Sequence, residues 1–317
     1  MSFYADTRTQ SAPQLQHLNH TSCSSPKMRI ARFSLMAVLL IAAVACDKLK
    51  GNSSPTEPSG PPPSGSVITY SVVGASDAIG YGSSKPCVLY DDCDGNGYVW
   101  VAARSLRSQG FKVNIQQLGI PGAVISRTFE DMAIQYGRND VLANFIQQEM
   151  PFVQREASIV TVFTGANDVN VVSSALGKGA GGSDPAAFID QSVAGFTSDF
   201  AALISGIRAR AKSARIIVFN LPNLAGLPYL ATASLAQKQA TQRASVRITT
   251  AVINATPDIT VIDLMCEPRL YQSANLSSDG FHPNDAGYAL LGAELVKAVT
   301  AASYPAPKSS CPQMVLF

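Results

Sequence analysis

The hydrophobic positions of the chain change their period repeatedly from residue 66 onward. Five short runs of apolar and β-branched residues have the length and composition of buried strands. In the longer stretches between them, apolar residues recur at the three- and four-residue spacing of amphipathic helices. The runs are VITYSVVG (67–74), KVNIQQLG (112–119), SIVTVFTG (158–165), RIIVFNLP (215–222) and ITVIDLM (259–265). The segments with helical spacing are 97–109, 129–155, 185–212, 232–256 and 284–302.

This alternation of strands and helices predicts the fold class. Parallel strands need long crossover connections, which are usually helices, so both faces of the sheet become covered. We predict a single doubly wound α/β domain with three layers and a flavodoxin-like five-stranded parallel sheet. Two stretches of small and apolar residues, 169–184 and 221–233, are predicted to be loops.

The first 45 residues have the pattern of a targeting segment. Thirteen uncharged residues, 33–45, follow three basic side chains, which is typical of a secretory signal and too short for a membrane-spanning helix. The run ends in AVAC (43–46), which resembles the cleavage box of bacterial lipoproteins, in which the cysteine, here Cys46, is lipidated. Ala43 stands where that box usually has leucine. Ordinary signal-peptidase cleavage and an uncleaved anchor are the alternatives, and Met28 is a more typical start for such a signal than Met1.

Residues 46–65 are rich in Pro, Ser and Gly and contain almost no apolar side chain, which predicts a flexible tether. The chain is therefore divided into an N-terminal extension and signal peptide (1–45), a tether (46–65) and a folded domain (66–317). We expect an exported protein whose lipidated N-terminus holds it at a bacterial membrane surface, facing the periplasm or the outside.

Composition and charge limit the partners of the folded domain. The chain has 317 residues, of which 46% are hydrophobic, so a large core is possible. The formal net charge is +2, but the first 45 residues hold four basic side chains and one acid, which leaves the remainder at −1. Without a basic stripe, a nucleic-acid partner is not expected. Nothing in the sequence requires a metal or an organic cofactor, and we expect a monomer.

Four cysteines follow Cys46, and an even number in an exported chain indicates disulfides. Three pairings are possible. We favour Cys87–Cys93, which closes a short loop, together with Cys266–Cys311, which attaches the C-terminal tail. Four free thiols are the alternative, and the spacing does not fit a zinc site.

Polar residues follow the predicted strands at the points where a doubly wound sheet carries its chemistry. Ser76 follows the first strand, Gly122 the second and Asn167 the third, while Asp279 and His282 come after the fifth. All five are therefore expected at one edge of the sheet. The turn GASDAIG (74–80) lacks the lysine of a P-loop and the spacing of a dinucleotide fingerprint, which argues against a phosphate-binding protein.

The combination of residue types indicates nucleophilic catalysis. A serine hydroxyl needs a base, and His282 is the only histidine after the predicted signal. Asp279 precedes it by three residues and is close enough in sequence to orient the imidazole. Each residue also has a structural explanation, because serine and asparagine commonly cap helices, whereas aspartate and glycine commonly form turns. Those roles do not explain why all five fall in order at one edge.

These stretches resemble the SGNH, or GDSL-like, hydrolases, a family named for blocks that contain Ser, Gly, Asn and His. VVGASDAIGYG matches the first block, LGIPGA the second, TGAND the third and DGFHPN the last, and the resemblance extends over residues 66–304. The chain departs from the first block at Ala75, where the family usually has aspartate. Asp77 is a candidate to compensate for that change.

The resemblance implies the SGNH hydrolase fold and esterase or lipase activity. Ser76 would be the nucleophile, His282 the base and Asp279 its orienting partner. The oxyanion hole would consist of the backbone N–H groups of Ser76 and Gly122 and the side-chain amide of Asn167. The substrate would be a lipid ester or a small carboxylic ester. A carbohydrate O-acetyl esterase and a non-catalytic SGNH scaffold that binds a glycan or lipid are the alternatives.

Overall fold

Five parallel strands form one sheet in the computed structural model, which describes residues 60–87 and 93–317. The order across the sheet is β2-β1-β3-β4-β5, and every neighbouring pair is parallel. This is the flavodoxin-like order, so the predicted fold class is confirmed. The strands are Val67–Gly74 (β1), Lys112–Gln117 (β2), Ile159–Phe163 (β3), Arg215–Phe219 (β4) and Thr260–Ile262 (β5).

Six α-helices in the described part of the chain cover the two faces of the sheet and produce the three layers. Helices α1 and α6 pack together on one face, and α2 to α5 lie on the other. In agreement with this arrangement, β3 and β4 are buried along their whole length. The helices are Tyr98–Ser108 (α1), Arg127–Gln135 (α2), Ala166–Gly177 (α3), Pro185–Arg210 (α4), Leu235–Arg247 (α5) and Asp285–Thr300 (α6).

Strand β1 lies between β2 and β3 and contributes to both hydrophobic cores. Val72 packs in the core under α1 and α6, whereas Val73 packs in the core under α2 to α5. Successive side chains of a strand point to opposite faces, which explains why the apolar run of β1 is nearly continuous.

The segment 129–155, which has helical spacing in the sequence, is not one continuous helix. Helix α2 ends at Gln135, and Gly137 then adopts the left-handed conformation (φ +65°), which redirects the chain. A separate π-helical turn, Phe145–Glu149, begins where the Asn144 side chain accepts a hydrogen bond from the amide of Gln147 (2.9 Å). The hydrophobic spacing is therefore shared by two short elements that pack in different directions.

The prediction of a loop over 169–184 is wrong for residues 169–177, which belong to α3, and right for residues 178–184, which connect α3 to α4. Its apolar residues Val169, Val172 and Ala175 are buried in the core beneath α2 to α5. The small residues that favoured a loop are in fact the packing face of a helix. The stretch 221–233 is a loop with two short 3₁₀ turns, Leu224–Gly226 and Pro228–Leu230.

Among residues 60–87 and 93–317 there are two disulfides, Cys87–Cys93 and Cys266–Cys311, with the pairing favoured from the sequence. The second attaches the tail around Met314 to the loop after β5. Within the described residues, no helix is both long and apolar enough to span a membrane. The predicted signal, Cys46 and all but the end of the tether lie outside the described residues.

Candidate active site

Ser76 lies on a tight turn at the carboxyl end of β1. The amides of Ala78 and Tyr81 donate hydrogen bonds to the carbonyls of Ala75 and Ser76, at 3.1 and 3.0 Å. A Cβ atom on Gly74 would lie 3.0 Å from the Cβ atom of Ala78, so glycine lets the turn fold back against the strand. The Ser76 side chain is thereby fixed at the sheet edge and is only 8% exposed.

His282 and Asp279 lie on the loop between β5 and α6 and form a continuous hydrogen-bonded row with Ser76. Ser76 Oγ is 2.8 Å from His282 Nε2, and His282 Nδ1 is 2.6 Å from Asp279 Oδ2. The other carboxylate oxygen, Oδ1, accepts from the amides of Phe281 and His282 (2.8 and 2.9 Å) and from the Ser277 hydroxyl (2.7 Å). Asp279 therefore holds both the imidazole and the loop that carries it.

These contacts also fix the protonation pattern of the row. Burial acts to raise the pKa of Asp279, but hydrogen bonds from His282, Phe281 and Ser277 outweigh it and lower the pKa to about 2. The ionised carboxylate can only accept hydrogen bonds, so Nδ1 of His282 carries a proton. In the neutral imidazole Nε2 is then an acceptor, and the Ser76 hydroxyl donates to it. This geometry suits transfer of the serine proton to the imidazole.

Two aromatic rings pack edge-on against the His282 imidazole. The ring centroids of Tyr81 and Phe281 are each 4.7 Å from that of His282. Phe281 is itself packed against Tyr229, with a centroid separation of 4.9 Å. The rings limit rotation of the imidazole and keep Nε2 directed at Ser76.

Gly122 lies in the turn after β2, where only glycine fits. Its backbone is in the left-handed region (φ +77°), and a Cβ atom there would lie 2.0 Å from the carbonyl oxygen of Asp140. The turn is closed by a hydrogen bond of 3.0 Å from the amide of Ala123 to the carbonyl of Ile120. Gly122 therefore allows one wall of the site to approach another closely.

Asn167 lies in the first turn of α3, which begins after Gly165 in a left-handed conformation (φ +104°). Its Nδ2 atom donates to the carbonyl of Ala123 at 2.9 Å and carries a second N–H group. The neighbouring Asp168 accepts from the amide of Ile125 (2.9 Å), and burial raises the pKa of Asp168 to about 7. These contacts attach the start of α3 to the loop after β2.

All five residues predicted from the strand ends line one cleft of about 700 Å³. The aromatic part of its lining comes from Tyr81, Tyr229 and Phe281, and the polar part includes Asn170, Ser174 and Gln237. Leu142 also lines the cleft and is 67% exposed, so it lies at the rim.

Arg138 and Asp140 form an ion pair in the cleft lining. Arg138 Nε donates to Asp140 Oδ1 at 2.9 Å, and Nη2 donates to Oδ2 of the same carboxylate. The hydrogen bonds from Arg138 lower the pKa of Asp140, which keeps this carboxyl ionised. Because the two charges cancel, the pair presents polar atoms to the cleft without a net charge.

Sequence reasoning located the polar residues at the strand ends but missed the side chains that support them. Tyr81 lies within the first sequence block and Phe281 directly precedes the histidine, so their positions gave a weak signal. Arg138, Asp140 and Tyr229 gave none, because they come from loops that reach the cleft only in the folded chain. Among the side chains of residues 60–87 and 93–317, no group of three or more His, Cys, Asp and Glu could hold a metal ion.

The model of the GDSL-like lipase/acylhydrolase family matches residues 72–290, which is more than half of the chain. A search of curated protein sequences finds no match.

Solved structures of similar fold have low sequence identity to the chain. The lipase Lip_vut3 from a goat rumen metagenome is 16% identical, with a TM-score of 0.50 over 74% of this chain and 98% of that one. An extracellular lipase from Streptomyces rimosus is 18% identical, with a TM-score of 0.47 over 74% of this chain and 100% of that one. A carbohydrate esterase family 2 enzyme from Corynascus thermopiles is 21% identical, with a TM-score of 0.44 over 77% of this chain and 68% of that one. The first of these shows that the fold is shared.

Proposed function

We propose that this chain, which belongs to the GDSL-like lipase/acylhydrolase family, is a serine esterase acting on carboxylic esters. The observation that carries the proposal is the hydrogen-bonded row from Ser76 through His282 to Asp279, which opens into a cleft. A non-catalytic scaffold would need neither the aligned imidazole nor the ionised carboxylate behind it.

The mechanism follows from the donors and acceptors of this row. Ser76 Oγ attacks the ester carbonyl carbon, and its proton moves to His282 Nε2. The tetrahedral intermediate collapses, the C–O bond to the alcohol breaks, and His282 returns the proton to the leaving alcohol. Water then attacks the acyl-serine, with His282 taking its proton, and the carboxylic acid is released as Ser76 regains its hydrogen. Asp279 stays ionised and stabilises the imidazolium in both halves of the reaction.

The negative charge that develops on the carbonyl oxygen needs hydrogen-bond donors. We assign the backbone N–H groups of Ser76 and Gly122 and the side-chain amide of Asn167 to this role, because all three residues line the cleft beside the nucleophile. Preorganised donors of this kind stabilise the transition state more than the ground state.

Two substrate classes fit the cleft, and each has an observation in its favour. The exposed Leu142 and the rings of Tyr81 and Phe281 favour an acyl ester of a lipid or small alcohol. The polar side chains Asn170 and Gln237 favour the alternative, an O-acetyl group on a carbohydrate. The lipid or small ester is the preferred class because two aromatic rings pack against His282.

Activity toward a graded set of esters tests the proposal. We expect the exported protein to hydrolyse p-nitrophenyl esters from acetate to palmitate, and a fluorophosphonate to add covalently to the peptide that contains Ser76. Acetylated xylan and acetylated chitin oligomers, assayed in parallel, distinguish the carbohydrate alternative. A folded protein that cleaves none of these esters and does not react with the fluorophosphonate contradicts the proposal and leaves the binding scaffold.

Replacement of Asn167 by alanine is expected to lower kcat by about 10²–10³-fold, because one oxyanion donor is lost. KM should change little, since the ground-state ester binds the donor less strongly than the transition state does. The measurement is steady-state hydrolysis of p-nitrophenyl butyrate. Asn170→Ala is the matched control, because Asn170 lies in the same helix and lines the same cleft. Equal losses in the two variants, or a loss below twofold in Asn167→Ala, would remove Asn167 from the oxyanion hole.

We also propose the domain organisation and location predicted from the sequence. Residues 1–45 provide an extension and signal, residues 46–65 a tether from lipidated Cys46, and residues 66–317 a monomeric hydrolase domain. The two disulfides support an exported protein, because such bonds persist in oxidising compartments.

Cys46→Ser is expected to remove the lipid anchor and move the protein from the membrane fraction to the soluble fraction of a bacterial host. Incorporation of labelled palmitate should disappear in the same variant. Ser76→Ala is the control, since it should stay in the membrane fraction and keep its label. Labelled palmitate on Cys46→Ser, or unlabelled wild-type protein, would show that Cys46 is not the lipidation site.

A further inference from the structure

A buried carboxylate connects the turn of Ser76 with the turn of Gly122. Glu149 Oε2 accepts a hydrogen bond of 2.8 Å from the amide of Gly74, two residues before the serine. Glu149 Oε1 lies 3.3 Å from the amide of Ile120, two residues before Gly122, and accepts from it. The Ile120 amide is shared with the carbonyl of Gly74, at 3.1 Å. One carboxylate thus contacts both strand ends that carry the proposed backbone donors.

A second side chain connects the same two turns. Gln117 Nε2 donates to the carbonyl of Ala78 at 2.6 Å, and Gln117 Oε1 accepts from the amide of Gly119 at 2.9 Å. The backbones are already very close there, since a Cβ atom on Gly119 would lie 2.6 Å from the Cβ atom of Ala78. Gln117 therefore bridges the serine turn and the glycine loop with one donor and one acceptor.

The two bridges approach from different faces of the sheet. Phe145, in the same π-helical turn as Glu149, packs in the core under α2 to α5, whereas Ala78 packs in the core under α1 and α6. Together Glu149 and Gln117 restrain the serine turn and the glycine loop on both sides, so a shift of either turn would break at least one of these hydrogen bonds.

We propose that Glu149 and Gln117 are positioning residues that hold the N–H groups of Ser76 and Gly122 at the spacing needed to bind one oxyanion. We call this pair the oxyanion clamp. Its catalytic role rests on the proposed function, because it acts through the donors assigned there.

The placement of Glu149 supports a role beyond packing. The residue is completely buried, and burial raises its pKa well above the usual value despite the hydrogen bonds from Gly74 and Ile120. A buried carboxylate is costly, and an apolar side chain would fill the same volume without that cost. What the carboxylate adds is two acceptor oxygens with a fixed separation, one for each turn.

The clamp also explains how the serine turn is supported without the aspartate that the family usually has at position 75. Asp77, the nearest carboxyl in sequence, lies beside the Tyr288 hydroxyl and borders a small cavity whose other lining residues are apolar. Glu149 instead accepts a hydrogen bond from the amide of Gly74, the residue directly before Ala75. The support for the turn comes from an element 75 residues away in the sequence.

Two isosteric substitutions test the clamp. Glu149→Gln keeps the volume but directs an amide NH₂ at one of the two backbone N–H groups, and Gln117→Glu directs an oxygen at the carbonyl of Ala78. We expect each to lower kcat by about 10- to 100-fold while KM stays within about twofold, because a small displacement of catalytic groups is sufficient for such a loss. Phe145→Leu is the control, since it disturbs the same π-helical turn without removing either bridge.

Hydrogen exchange supplies a second measurement that needs no activity. Amides in peptides covering 70–82 and 112–124 should exchange faster in Glu149→Gln and Gln117→Glu than in wild type, and Phe145→Leu should leave these peptides unchanged. If wild type is active and kcat is unchanged in both Glu149→Gln and Gln117→Glu, the clamp is overturned and the proposed function stands. The same holds if Phe145→Leu lowers kcat as much as the two clamp variants do. If wild type hydrolyses no ester, the proposed function and the catalytic role of the clamp are both overturned. If hydrogen exchange in the two peptides is also unchanged in the clamp variants, the structural role of the clamp is overturned as well.

Discussion

Replacement of Ser76 by alanine is expected to lower kcat for ester hydrolysis by about 10⁵–10⁶-fold, the scale seen when a nucleophile is removed from a serine triad. The loss is large because no acyl-enzyme can form without the Oγ atom. The residual rate would come from the remaining donors acting on bound substrate and water. His282→Ala should cause a similar loss, and the double variant should be no worse than either single one, because the two residues act as one unit.

Ser278→Ala is the matched control for this experiment. Ser278 is an exposed serine on the same loop as Asp279, and it lines a neighbouring shallow groove instead of the cleft. We expect its kcat to stay within about twofold of wild type, and the fluorophosphonate to label it as it labels wild type. Ester hydrolysis that survives in Ser76→Ala at more than one-tenth of the wild-type rate would assign the nucleophile to another residue.

Asp279→Asn is expected to lower kcat by about 10⁴-fold while the fold is retained. The asparagine side chain would direct either a donor or a neutral oxygen at Nδ1 of His282, so the tautomer that makes Nε2 an acceptor is no longer favoured. The imidazolium formed during catalysis would also lose the charge 2.6 Å from its ring nitrogen. Asp285→Asn is the control, because Asp285 is an exposed acid that binds the loop at Ser84 (2.6 Å) and does not line the cleft.

Asp279→Asn is also expected to change how the melting temperature depends on pH. The pKa of Asp279 is about 2 in the folded protein, below the value of about 3.9 for an unfolded chain. A depressed carboxyl pKa stabilises the fold above the unfolded pKa, and this contribution is lost as the pH falls through the folded pKa. We therefore expect wild type to have the higher melting temperature at pH 6 and the difference from Asp279→Asn to shrink between about pH 4 and pH 2. A constant difference over that range would show that the carboxylate charge does not contribute.

The fold was predictable because each strand has a strong local signal. The apolar β-branched runs of β3 and β4 are continuous because helices cover both faces of the sheet, and every residue of these strands is buried. The predicted edge follows from the same fact, since parallel strands place all their carboxyl ends together. Ser76, Asn167 and His282 could therefore be grouped without knowledge of their distances.

Other features depend on contacts that local patterns do not encode. The division of 129–155 into α2 and a π-helical turn depends on the left-handed conformation of Gly137. A glycine within a helical pattern does not by itself indicate that conformation. The small residues of α3 favoured a loop in the sequence. They form a helix because they are buried against α5, a tertiary contact that the local pattern does not show. Glu149 belongs to no sequence motif, and only the folded backbone shows that its side chain lies between the turns of Ser76 and Gly122.

The hydrogen bond between Ser76 and His282 joins residues that are 206 positions apart in the chain. During synthesis, therefore, the proposed nucleophile emerges from the ribosome long before its base. A nascent chain that ends before residue 282 lacks the imidazole, and it also lacks all of α6, which packs against α1. The proposed ester-cleaving activity thus arises only after His282 and α6 have been made, so a translation product that stops before them carries none of it.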